Sequence, residues 1–278
     1  MSLKSKAQQV LAILKSGGFE VSGKWLDLSD DFNFCADNSK TYRPDDFDSL
    51  LHSRSCESYK TIVEVTEETT QVAAKRLFTE GADDPVLLNF ASAWNPGGGF
   101  INGAKAQEED LARCSTLYPC LVNQMEYYEA NRQHNSLLYT DHIIYSPKVV
   151  WFRTRSTDPP QKPFYASVIT APAPNARQAR IKGEPMNTLR SVLRRRAQMI
   201  LGVAKAHHHR VVLLGAWGCG VFGNDPFAVA EAFRDALKTS HFNGVFEKVV
   251  FAIHDSSKDQ AVLNAFKDTF KINRVRLD

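Results

Sequence analysis

Residues 86–109 read VLLNFASAWNPGGGFINGAKAQEE. The first five, Val86 to Phe90, form a short apolar run bounded by Asp84-Pro85 in front and Ala91-Ser92 behind. A run of this length and character fits a strand covered by helices on both faces, as in parallel sheets. A loop with three successive glycines follows, and then a helical pattern that contains Gln107, Glu108 and Glu109. Strand, glycine loop and helix together form the repeating unit of an α/β fold. In such folds ligands bind beyond the carboxyl ends of the strands.

The pattern continues on both sides of this stretch. TIVEVTEE (61–68) reads as a strand and TTQVAAKRLFTEG (69–81) as a helix closed by Gly81. GAKAQEEDLARCSTLYPCL (103–121) reads as one helix. HIIYSPKVVWFR (142–153) and PFYASVITA (163–171) read as strands joined by the turn DPPQKP. A long helix over 184–208, a strand in RVVLLGAW (210–217), a helix over 226–240, a strand in FEKVVFAIHD (246–255) and a helix over 258–270 complete the series. Alternating strands and helices predict an α/β sandwich around a mostly parallel sheet. Residues 1–58 differ. Val10, Leu11 and Leu14 recur at helical spacing, but the following polar stretch (26–49) reads as irregular and too poor in apolar residues for a core of its own. The expectation is an N-terminal helix and wrapping extension over 1–58 on a main domain over 59–278.

Composition limits the function. The chain has 278 residues, 43% apolar and 23% charged, which is ordinary globular usage and excludes disordered, collagen-like and coiled-coil classes. The net charge of +3 is too mild for a duplex-binding stripe but is compatible with a local site for an anion. No apolar run of about 18 residues is present, so no membrane span is expected. MSLKSKAQQVLAILKSGG lacks the pattern of a secretory signal, so the expected location is the cytoplasm and the five cysteines are expected to be reduced thiols. They form no CxxC pair, and the consecutive His207, His208 and His209 diverge too much to grip one metal, so no metal site and no cofactor are expected.

Two loops carry the candidate chemistry. In the first, Gly97, Gly98 and Gly99 have no Cβ, so backbone and ligand can approach closely. Their amides, near a helix start, form a concave donor set suited to phosphate or ribose oxygens. Asn95 lies in the same loop. After seven intervening residues come Gln107, Glu108 and Glu109. Neighbouring helical side chains diverge by about 100°, so the two carboxylates take different jobs. Repulsion and burial raise the pKa of one, against the pull of the helix N-terminus.

The second loop holds Gly218, Cys219, Gly220, Val221, Phe222 and Gly223, a G-x-G-x-x-G between a strand and a helix. That spacing is the dinucleotide fingerprint, but it lies late in the chain, and the first acid closing the next strand, Asp255, is 32 residues beyond Gly223. The loop is read as a diphosphate cradle. Phe222 is either a core plug or a ring that presses a sugar into place. Cys219 has no histidine poised to activate it. Asn175, after a strand at the same sheet edge, is a candidate polar contact, and Arg194-Arg195-Arg196 reads as a solvated helix face.

Taken together, GGG followed by QEE, with NFASAWNPGGGFINGAKAQEEDLARCSTLYPCL and VVLLGAWGCGVFGNDP around them, resembles the bacterial-type poly(ADP-ribose) glycohydrolases. The resemblance runs from about residue 8 to the end and is strongest over 86–122 and 211–227. It implies a three-layer α/β/α macrodomain with a mixed, mostly parallel central sheet and an N-terminal extension. It also implies hydrolysis of the ribose–ribose O-glycosidic bond of poly(ADP-ribose), a polymer tied to the DNA damage response, with release of ADP-ribose. By the same resemblance Glu109 is the catalytic glutamate, Glu108 holds the terminal ribose, and Gln107 supports it. Gly97 to Gly99 surround ribose and diphosphate, Gly218 to Phe222 take the diphosphate, and Phe222 orients the ribose. A monomer acting on poly(ADP-ribose) or ADP-ribosylated macromolecules, without metal and without binding duplex DNA directly, is expected. Competing readings are a hydrolase of mono-ADP-ribose on protein or DNA, a non-catalytic ADP-ribose reader, and a dinucleotide-dependent oxidoreductase resting on GCGVFG alone.

Overall fold

A computed structural model describes residues 2–53, 58–271 and 275–276. Cys56 lies outside the described residues. The central sheet uses β4 (Ile62–Thr66), β5 (Val86–Phe90), β7 (Phe164–Ala171), β8 (Val211–Gly215) and β9 (Lys248–Ala252) as parallel strands in the spatial order 4-9-8-5-7. Antiparallel β6 (Ile143–Trp151) adds to β7, β3 (Lys40–Tyr42) adds to β6, and β10 (Val275–Arg276) closes the other edge against β4. The sheet is therefore mixed and mostly parallel.

The apolar runs alternate between two cores. Leu88, Leu214 and Phe251 point to one face and pack with α9 (Leu189–Ala206), α10 (Pro226–Leu237) and α11 (Ala261–Phe270). Leu87, Leu213 and Val250 point to the other and pack with α4 (Thr70–Thr79), α5 (Gln107–Cys114) and α6 (Leu117–Val122). Burial on both faces is why these strands carry no polar alternation. At about 25 cal/mol per Å² of apolar surface, the two cores supply the main driving force for the fold.

The extension is more ordered than its composition suggested. After α1 (Leu3–Ser16) come a hairpin of β1 (Gly18–Val21) and β2 (Lys24–Asp27), α2 (Ser29–Asp37), the edge strand β3, and α3 (Phe47–Leu51). Its apolar residues do form a core, but a shared one. Ala7, Val10, Phe19 and Phe32 bury against Phe100, Ala112, Val150 and Phe152 of the main body. Phe100 immediately follows the three glycines, so α1 and the hairpin brace that loop from behind.

Three other expectations change. The single helix over 103–121 is two, α5 and α6, because Ser115 is extended (φ −151°, ψ −179°). There the chain pairs with the end of β6 that β3 leaves uncovered: Thr116 N donates to Val150 O at 3.0 Å and Phe152 N to Cys114 O at 3.1 Å. The long helix begins at Leu189, after Pro185, and Glu184 stays outside it to accept from Ser136 Oγ (2.7 Å) and Leu137 N (3.0 Å). Two helices, α7 (Met125–Gln133) and α8 (Ala176–Ile181), fall in segments the pattern left as loops.

Arg196 is also not on a solvated face. It is fully buried, with its guanidinium donating to Pro172 O, Leu138 O, Tyr139 O and Asp141, so it ties the loops after α7 and β7 to α9. Arg194 and Arg195 remain exposed. At the amino ends of the parallel strands, His209 meets Tyr145 Oη at 2.9 Å and Asp84 O at 2.9 Å, while His207 meets Tyr42 Oη at 2.8 Å. Burial depresses both imidazoles to about 4. Among the described residues no helix is long and apolar enough to cross a membrane.

Candidate active site

The loops after β5, β7, β8 and β9 converge at one end of the sheet and enclose a cleft in two lobes. One lobe, of about 960 Å³, contains Glu108, Glu109, Gly98 and Gly99. The other, of about 670 Å³, contains Gly218 to Phe222 and runs to His254 and Asp255. Phe90, Ala106, Val221 and Phe222 line both, so the lobes are continuous past the Phe222 ring.

The three QEE side chains divide the work, as their helical spacing requires. Gln107 sutures β5 to α5: its Oε1 accepts from Phe90 N (2.9 Å), and its Nε2 donates to Leu88 O (2.9 Å) and Thr70 Oγ1 (3.1 Å). It touches neither glutamate by hydrogen bond and acts by fixing the start of α5. Glu108 is nearly fully buried. Its Oε2 accepts from Ser92 N (2.8 Å) and its Oε1 from Asn89 Nδ2 (3.2 Å). Burial pushes its carboxyl up to about 8, the two hydrogen bonds oppose this, and the charge of Glu109 adds a smaller upward push. Glu109 accepts from Gly99 N at 2.8 Å through Oε1. Its Oε2 is buried and has no hydrogen-bond partner among the described residues. A buried, unpaired carboxylate oxygen calls for an explanation, and a catalytic role is one.

At Gly98 and Gly99 the missing side chain serves space more than donation, where the sequence reading had their amides turned to a ligand. Gly98 N donates to Asn95 O (2.9 Å) and Gly99 N to Glu109, so neither amide is free for a phosphate. Gly98 adopts φ +57°, and a Cβ there would stand 2.4 Å from Glu109 Oε1 and 3.0 Å from Glu108 Oε2. Only glycine lets this backbone pass over the pair. Gly97 is also left-handed (φ +66°), with the Tyr118 ring 3.1 Å from where its Cβ would be.

The second loop is clamped at its ends and open in its middle. Trp217 is buried, with Nε1 donating to Ala171 O at 3.0 Å. Asn224 Nδ2 bridges Pro174 O (2.8 Å) and Gly218 O (3.0 Å), and Arg177 N donates to Phe222 O at 2.8 Å. The amides of Gly220, Val221 and Phe222 have no acceptor among the described residues. Successive unpaired amides are a concave site for an anion. The loop closes before α10, whose first turn is capped by Asp225 (Oδ1 to Phe227 N, 3.1 Å), so that helix start is occupied by its own cap. Phe222 is half-buried and packs against Tyr139, ring centres 6.1 Å apart, with an edge in both lobes.

Cys219 lies in the second lobe, but burial pushes its thiol up to about 12, which leaves it protonated and a poor nucleophile. Asn175 lines the first lobe, yet its Oδ1 caps α8 by accepting from Gln178 N (3.2 Å). Asn95 lines the same lobe. Among the described residues no three His, Cys, Asp or Glu side chains are grouped to hold a metal ion. Sequence reasoning missed Asn89 and Ser92, which carry Glu108. A polar Asn inside the run VLLNF was the available signal.

The model of the microbial-type PARG catalytic domain, PARG being poly(ADP-ribose) glycohydrolase, matches residues 7–154. The fold superposes on the poly(ADP-ribose) glycohydrolase of Thermomonospora curvata bound to the inhibitor ADP-HPD, with TM-score 0.88 and 39% identity over 96% of this chain and 99% of that one. The chain belongs to the microbial-type poly(ADP-ribose) glycohydrolase family. The Deinococcus radiodurans enzyme in complex with ADP-ribose is similar at 41% identity and TM-score 0.80, over 91% of this chain and 99% of that one. A comparison with curated protein sequences gives no match. Family membership removes the oxidoreductase reading of GCGVFG. It also agrees with the two-lobed cleft, in which the carboxylate pair lines one lobe, Gly218 to Phe222 line the other, and Phe222 lines both.

Proposed function

We propose that this protein is a poly(ADP-ribose) glycohydrolase that cuts the ribose–ribose O-glycosidic bond and releases ADP-ribose, with Glu109 as its acid and base. The observation that carries the proposal is the asymmetry of Glu109, a side chain that lines the cleft: one oxygen is fixed by the Gly99 amide, and the other is buried with no hydrogen-bond partner among the described residues. The neighbouring structures with ADP-ribose and ADP-HPD, at 39–41% identity, support the ligand class.

In this reading the diphosphate of the terminal unit lies against the free amides of residues 220–222, and Phe222 presses the distal ribose toward the carboxylates. Glu108 accepts hydrogen bonds from ribose hydroxyls. Protonated Glu109 then gives its proton to the 2′-oxygen of the preceding unit. The anomeric C–O bond breaks, its electron pair stays on that oxygen, and an oxocarbenium-like sugar forms. The adjacent diphosphate offsets the developing positive charge. Water attacks the anomeric carbon while Glu109 takes up its proton, which restores the carboxylic acid. A single carboxylate performs both transfers, and Glu108 positions the sugar. A cytoplasmic monomer is part of the same proposal.

The test is product analysis of purified poly(ADP-ribose) incubated with the protein. Free ADP-ribose is the expected product. Tight ADP-ribose binding without any release from the polymer would make the protein a reader and overturn the reading.

A further inference from the structure

Trp94 is half exposed on the wall of the lobe that holds Glu109, although large apolar side chains are ordinarily turned inward. Its backbone is unusually well fixed for a loop. Ser92 Oγ accepts from Trp94 N (3.2 Å) and Asn95 N (3.1 Å), while Arg132 grips Trp94 O through Nε (2.9 Å) and Nη2 (2.5 Å). The next turn, closed by Gly98 N to Asn95 O at 2.9 Å, leads directly to the glycine that passes over the carboxylate pair. The result is an exposed indole, carried on a backbone held by these hydrogen bonds, in the same lobe as the acid.

The chemistry of the bond says what such a face would meet. In the glycohydrolase reading, on which this rests, the oxygen that Glu109 protonates is the 2′-oxygen of the leaving unit, and C2′ is bonded to C1′, which carries the adenine. Wherever that oxygen enters, an adenine must therefore lie within about one sugar's width. In that reading the diphosphate of the terminal unit takes the glycine loop of 218–223 and its adenosine the rest of that lobe, which puts the leaving adenine in the other lobe. Lys182, which also lines that lobe and forms no ion pair within 4 Å among the described residues, matches the negative diphosphate of the leaving unit. We infer that Trp94 is a stacking platform for the adenine of the penultimate ADP-ribose unit, a leaving-group subsite that favours polymer over a lone terminal unit.

Bases stack on aromatic faces with little dependence on sequence, and removing such a face weakens binding measurably. The experiment compares wild type, Trp94→Ala and Trp94→Phe in two assays: steady-state hydrolysis of poly(ADP-ribose) chains, and calorimetric binding of ADP-ribose, which has no leaving unit. For Trp94→Ala the KM for polymer is expected to rise about tenfold, while ADP-ribose affinity stays within about twofold, and Trp94→Phe should recover most of the loss. An unchanged KM for Trp94→Ala would overturn the subsite. Equal losses of KM and ADP-ribose affinity would also overturn it, by placing Trp94 at the terminal unit. A wild-type protein that releases no ADP-ribose would sink the glycohydrolase reading itself, an outcome distinct from a normal wild type with an indifferent Trp94.

Discussion

The two glycine loops of the cleft look alike in sequence and do opposite things. In loop 97–99 the amides of Gly98 and Gly99 turn inward, to Asn95 O and to Glu109, and the missing side chain of Gly98 gives clearance over two carboxylates. Loop 218–223 ties its ends with Asn224, and the amides of 220–222 have no acceptor among the described residues. One loop makes room for and braces a carboxylate pair, and the other leaves unpaired donors at the cleft. Glycine content alone therefore does not reveal a loop's role. What decides it is whether a Cβ would strike something and where the amides point.

The sharpest break in this comparison is Gly98→Ala. The added Cβ would stand 2.4 Å from Glu109 Oε1 at a φ of +57°. The expected result is a loss of at least about 100-fold in kcat/KM, from displacement of the acid, with a loss of about 1–2 kcal/mol in stability from the left-handed backbone. Kinetics and thermal melts check both, and near-normal turnover would mean the loop is only a turn.

Next in size is a pH effect carried by Glu108. Its folded carboxyl sits near 8, above the ordinary range, so the free fold is favoured by the proton. That contribution is fully present below about 4.5 and is lost as pH rises through about 8. Ribose hydroxyls donate to the ionised form, so ADP-ribose binding has the opposite sign. Affinity should fall by up to about tenfold per pH unit as pH drops below 8, with proton release on binding. Calorimetry in buffers of different ionisation enthalpy measures this, and a flat profile from pH 6 to 8 would contradict the ribose role.

Asn224→Ala should unclip the second loop, weakening ADP-ribose binding about tenfold and destabilising the fold by about 1–2 kcal/mol. The smallest effect is expected at Gly220, where a Cβ would meet nothing within 4 Å and no left-handed φ is present. Gly220→Ala should leave stability within about 0.5 kcal/mol of wild type. A large loss there, with Gly98→Ala mild, would reverse the assignment of the two loops.

The parts of the fold legible in sequence were those whose patterning is local. VLLNF, VVLLG and KVVFA are buried on both faces and read as strands without any partner being known. The parts that were not legible depend on tertiary partners. The break at Ser115 exists because β6 has an uncovered edge, the extension packs because Phe100 and Phe152 complete its core, and Arg196 is buried because backbone carbonyls from two loops surround it. The carboxylate pair was visible as a motif. That burial raises Glu108, and that Glu109 keeps an unpartnered oxygen, follows only from where Asn89, Ser92 and Gly99 are placed.

In the proposed reaction Glu109 carries the proton in both halves. The measurement that meets it directly is Glu109→Gln assayed beside wild type for ADP-ribose released from poly(ADP-ribose), with ADP-ribose affinity measured on the same preparations. A loss of turnover of about 10²–10⁴-fold is expected, with affinity changed by no more than a few-fold. A variant that still releases ADP-ribose at close to the wild-type rate would contradict it.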